Sequence, residues 1–138
     1  MKLKIIVLIS LFAFALVFSA CSGIKVTNAG RHLVYPGVQN AAAYLQYEIA
    51  FKSKTDFSIK SVYIGDKTVS KYFIQNTASK VYEDVKNNRF KAGSYILSFQ
   101  LNKTEVEISK KVKIILEVQG KPKTIITEVT EGEAVHKR

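Results

Sequence analysis

From residue 43 onward, apolar and polar positions alternate. In "AYLQYEIAF", Ala43, Leu45, Tyr47, Ile49 and Phe51 share one side of an extended chain, and Tyr44, Gln46, Glu48 and Ala50 the other. A period of two is the mark of a strand with one buried face. "FSIKSVYI", residues 57–64, is rich in β-branched and aromatic side chains and ends at the turn pair Gly65-Asp66. A weaker apolar piece, "VSKYFI", follows at 69–74. "SYILSFQL" places Tyr95, Leu97, Phe99 and Leu101 on one face, with Ile96 the exception on the other. "VEISKKVKIILEV" keeps Val106, Ile108, Val112, Ile114, Leu116 and Val118 in phase, as one long strand or two with a bend near Ser109. "QGKP" at 119–122 reads as a hairpin turn, after which "KTIITEV" returns antiparallel.

Helical periodicity is scarce. "NTASKVYEDVKNN", 76–88, fits a helix capped by Asn76 or Thr77 about as well as it fits a strand. The tail "EGEAVHKR", 131–138, is polar and is expected to be flexible. About seven strands separated by turns, in one domain spanning residues 31–130, imply an all-β fold, an antiparallel β-sandwich. "FKAGSYILSF" sharpens this: Gly93 stands two residues before Tyr95, at the start of a strand. The motif resembles the tyrosine corner of immunoglobulin-like sandwiches, in which a tyrosine hydroxyl bonds to backbone a few residues upstream. Leu97 occupies the place of the second cysteine of antibody domains, and the chain has no Trp. The resemblance therefore implies an Ig-like or transthyretin-like sandwich without the disulfide.

A different pattern occupies the N-terminus. In "MKLKIIVLISLFAFALVFSAC", Lys2 and Lys4 precede a run from Ile5 to Phe18 that is apolar except for Ser10. A run of 14 residues is short for a transmembrane helix, which needs about 20, and suits the core of a secretory signal helix. Small residues, Ser19 and Ala20, then precede Cys21, the only cysteine. Phe18-Ser19-Ala20-Cys21 resembles the lipobox of bacterial lipoproteins, with Phe18 where that class most often has Leu. The resemblance implies cleavage between Ala20 and Cys21, a diacylglyceryl thioether on the Cys21 sulfur, and removal of residues 1–20. A plain secretory signal, or an uncleaved anchor, is the alternative. Two acyl chains suffice for stable anchoring where one does not. "SGIKVTNAG" is small and polar, so residues 21–30 are expected to be a lipidated tether. Ser22 in place of Asp resembles the outer-membrane address of some Gram-negative lipoproteins, which implies a domain facing the periplasm.

Composition changes this picture little. Hydrophobic residues make up 47% and charged residues 23%, values that suit a packed core. One cysteine leaves that core without an internal disulfide. The formal charge is +10, from 21 basic and 11 acidic residues, and cleavage would remove only Lys2 and Lys4 of these. Such a balance points to nucleic acid or an anionic membrane. Nucleic acid does not suit an exported chain, so the membrane, reached through the lipid anchor, is the expected partner.

Candidate chemistry is sparse. His32 and His136 have no second His or Cys at ligand spacing, so no metal or other cofactor is expected. Nucleophile-elbow and phosphate-loop motifs are missing, and a thioether removes the thiolate that Cys21 would need for attack. No catalytic residue is therefore assigned. Arg31-His32 and the tyrosines Tyr44, Tyr72 and Tyr82, with Tyr35, form the candidate binding surface. The expected function is that of a non-enzymatic envelope lipoprotein whose sandwich binds or assembles with another envelope component. A glycan or small-ligand binder using surface Tyr and Lys is the alternative.

Overall fold

The computed structural model describes residues 23–38, 41–83, 89–102 and 108–137. The expected signal helix, Ala20 and Cys21 lie outside these residues. The fold is all-β, and two sheets form a sandwich. The first contains β1 (Ile24–Tyr35), β2 (Tyr44–Ser53), β5 (Phe73–Asn76), β6 (Tyr82–Glu83), β7 (Gly93–Asn102), β10 (Thr130–Glu131) and β11 (Val135–His136). Its order is β10-β1-β2-β7-β5-β6, with β11 also on β1. The second has the order β4-β3-β8-β9, from β3 (Phe57–Ile64), β4 (Lys67–Thr68), β8 (Lys111–Val118) and β9 (Lys121–Glu128).

Alternation explains which faces meet. Tyr47, Ile49 and Phe51 of β2 and Tyr95, Leu97 and Phe99 of β7 are buried against Val112, Ile114 and Leu116 of β8. In β3 the apolar set changes phase, from Phe57 and Ile59 to Val62 and Ile64, yet all four are buried. A register shift against β8 between Ile59 and Ser61 accounts for it: the extra residue of a bulge flips every later side chain to the other face. An aromatic cluster of Phe51, Phe57, Phe90 and Tyr95 closes one end of the core, with Phe51–Phe57 and Phe57–Tyr95 edge-to-face at 5.5 and 5.3 Å.

Three segments differ from expectation. Ile24–Gly30, expected as part of the tether, belongs to β1 and pairs with β2 from Ile24↔Ser53 onward. The polar tail does not hang free: β10 and β11 run parallel to β1, with Gly30↔Thr130 and Val34↔Val135 in register. Within 76–88, the described residues form a hairpin of β5 and β6. Asn76 does receive the backbone N–H groups of Ala78 and Ser79, as a helix cap would. Lys80, at φ 59°, then turns the chain back after a single turn.

Candidate functional site

The outward face of the first sheet carries a groove of about 470 Å³ lined by Gln46, Phe73, Tyr82, Ser98 and Gln100. Pairing sets its floor. Gln46 of β2 is opposite Gln100 of β7, and Ser98 is opposite Phe73 of β5. These side chains point away from the core because their neighbours Tyr47, Leu97 and Phe99 point into it. The wall is aromatic. Phe73 and Tyr82 meet edge-to-face at 6.5 Å, yet remain 46% and 64% exposed. Lys71 Nζ lies 5.7 Å from the Phe73 ring centre. His32 is opposite Gln46, so the row His32–Gln46–Gln100 extends the polar floor onto β1. Two ring faces beside two amides and a hydroxyl can engage a ligand that is apolar on its flat faces and hydroxylated at its rim.

The residues of the candidate surface separate. Tyr82 is in the groove and His32 is in line with it. Arg31 is not surface at all: it is 6% exposed and committed to internal partners. Its guanidinium bonds to Glu131, to Tyr47 Oη at 2.9 Å, and to the Ile108 and Ser109 carbonyls at 2.8 and 3.4 Å. Burial acts to lower the Arg31 pKa, but the hydrogen bonds it donates to Glu131 and Tyr47, with the attraction of their charges, outweigh it and the pKa is raised. This clasp ties β10 and residues 108–109 to β1. Tyr44 is two residues from Gln46 on the same face of β2 but is not a lining residue, and Lys137 Nζ lies 6.0 Å from its ring centre. Tyr72 is half-buried against the core, and burial pushes its phenol up. Tyr35 stacks on His136 at 4.7 Å, which seats β11 on β1. Tyr95 Oη donates to the Lys91 carbonyl four residues upstream at 2.7 Å, two residues beyond Gly93.

The end of the sandwich nearest Gly23 has a second concavity, of about 460 Å³, lined by residues that include Thr55, Asp56, Arg89, Glu117 and Gln119. Thr55 Oγ1 is buried there without a hydrogen-bond partner among the described residues. Opposite charges share this cleft. Among the described residues, no group of three or more His, Cys, Asp or Glu side chains gathers as a metal site would require.

Sequence reasoning missed Phe73, Gln46, Ser98 and Gln100. Phe73 was part of a weak apolar strand, and only the β5–β7 pairing puts it beside Ser98. The polar faces of β2 and β7 were visible, but not that Gln46 and Gln100 are cross-strand partners. Comparison adds nothing to the assignment: no family model matches the chain, and no curated protein does.

Proposed function

We propose that this chain is a lipid-anchored, non-enzymatic envelope protein whose β-sandwich binds carbohydrate in the Phe73–Tyr82 groove. The anchor is the acylated Cys21, exposed by cleavage after Ala20, and the domain faces the periplasm from the outer membrane. The observation that carries the reading is the pairing of two exposed rings with Gln46, Ser98 and Gln100. A sugar ring has an apolar C–H face, which stacks on an aromatic, and a rim of hydroxyls, which amides serve as both donors and acceptors. None of the described lining residues is charged, and Lys71 reaches the groove only through its contact with the Phe73 ring, so neutral or acetylated hexoses are the ligands to try first.

Binding of the full chain to an array of neutral and acetylated oligosaccharides tests the reading. Tyr82→Ala and Gln100→Ala are expected to weaken retention of the same oligosaccharides by about tenfold or more, a loss typical of a removed stacking or hydrogen-bonding group. Retention unchanged in both variants overturns the site. The anchor is tested separately: Cys21→Ala is expected to abolish palmitate labelling and membrane retention, and a labelled mutant refutes it.

One observation favours assembly with an envelope protein instead. Among the described residues β9 is an outer strand of eight residues, with Ile126 67% exposed. Lys121 and Pro122 on that strand discourage strand addition, which ranks this reading second. Crosslinking in intact cells that recovers one protein through β9, together with no oligosaccharide binding, would reverse the order.

A further inference from the structure

We infer that the sandwich end nearest Gly23 docks on an anionic lipid surface, with the strands standing away from the membrane. The inference rests on the proposed attachment of the N-terminus to a membrane, and it adds which face touches the lipid. Its first support is where the chain leaves the fold. Gly23 is held by a 2.7 Å hydrogen bond from the Lys54 backbone N–H to its carbonyl, and β1 begins at Ile24. Only Ser22 separates Gly23 from Cys21, two residue steps with a reach of roughly 7 Å when fully extended. A domain on so short a connection rests against the bilayer by this end.

Charge is the second support. Pairing brings the Ser53–Phe57 corner, the Arg89–Gly93 segment and the Val118–Lys121 turn together at this end. Phe57 and Phe90 exchange backbone hydrogen bonds of 2.8 and 2.7 Å, Ser53 is opposite Gly93, and Phe57 is opposite Val118. Lys25, Lys52, Lys54, Arg89, Lys91 and Lys121 are all exposed there. The acids of the same segments are Asp56, which accepts from the Ala92 N–H, and Glu117, which pairs with Lys60 at 3.2 Å. Among the described residues none of the six cations has an ion pair. Lys25 and Lys52 are direct cross-strand partners, and like charges so placed repel one another. Phosphodiester headgroups relieve that repulsion. The opposite end is mixed instead, with Lys111 opposite Glu128 and Asp66 next to Lys67.

In this pose the glycan groove stands clear of the lipid. Ser98 is five residues along β7 from Gly93, a rise of about 17 Å.

The test uses the full chain, purified from membranes and reconstituted into vesicles of phosphatidylglycerol or of phosphatidylcholine. The mass of the N-terminal peptide first reports whether Cys21 carries lipid, which decides the anchor reading alone. A dye is then placed on Ala92→Cys at the basic end or on Asp66→Cys at the other. If Cys21 proves unlipidated, the same labels go onto a Cys21→Ser background. Energy transfer to a headgroup acceptor should be strong from residue 92 and weak from residue 66 in phosphatidylglycerol. Raising NaCl from about 0.1 M to about 1 M should shrink the difference, because surface charge is then screened. Lys52→Glu, Lys54→Glu and Lys91→Glu should do the same, each weakening contact about fivefold or more. Equal transfer from the two labels, or a difference indifferent to lipid charge, salt and these substitutions, overturns the docking, whatever the mass shows.

Discussion

Arg31 is the side chain whose environment departs most from its appearance in the sequence. Beside His32 it resembles half of an exposed polar pair, yet β1 turns it inward against Tyr47, its register partner. A buried cation is tolerable only when its donors are satisfied, and Glu131, Tyr47, Ile108 and Ser109 do this. Arg31→Ala would leave Tyr47 Oη and two carbonyls short of a donor. It is expected to lower stability by about 2–4 kcal/mol in urea denaturation. Amide exchange should also quicken at Thr130 and Glu131, because the clasp holds β10. A stability change within about 0.5 kcal/mol, with exchange unaltered, would show that the clasp is ornamental. The inward turn of Arg31 was not legible because β1 lacks a steady alternation. A register shift between Val26 and Asn28 changes its phase, and small residues such as Ala29 and Gly30 carry little hydropathy signal.

Strands were legible where one face carries large apolar side chains. The expected limits of β3, residues 57–64, coincide with those observed, and β2 and β7 fall within two residues of their patterns. The tail was illegible for the opposite reason: β10 and β11 have exposed side chains and join the sheet through backbone groups, which leave no pattern. The β8–β9 hairpin lies between these cases. "QGKP" announces a turn, but its type comes from geometry: Gln119 at φ 53° and Gly120 at φ 76° sit between the paired Val118 and Lys121, as in a type I′ turn. Glycine adopts that backbone freely, whereas glutamine is strained in it. Gln119→Asn should therefore raise stability by up to about 1 kcal/mol, read as a higher urea midpoint with an unchanged slope. A lower midpoint would mean that the Gln119 side chain contributes more than its backbone costs.

At the scale of the whole molecule, sandwich architecture was legible and sheet membership was not, since short strands such as β5 and β10 join their sheet only through distant partners. The groove depends on those partners, so its residues could be named only once the pairing was known. Stability of the whole sandwich should depend on pH on the alkaline side. Burial raises the pKa of Tyr47, Tyr95 and Tyr72 in the fold. Unfolded tyrosines lose their proton near pH 10, while the native ones still hold theirs. The native state then binds more protons, and stability must fall as pH rises through that range. The contribution is complete below about pH 10, so the urea midpoint should be steady from about pH 8 upward and drop beyond it. The share of phenolate absorbance that belongs to Tyr47, Tyr72 and Tyr95 should rise with unfolding rather than before it; a midpoint level to about pH 11 would contradict this. The parallel seam between β1 and the tail has a consequence in time. Gly30 faces Thr130 and Val34 faces Val135, so about a hundred residues of synthesis separate the partners. The outer edge of β1 stays bare until residue 136 has been made. Native closure is thus a late event that the growing chain cannot reach early, and a chain stalled before the seam would present β1 as a template for aggregation.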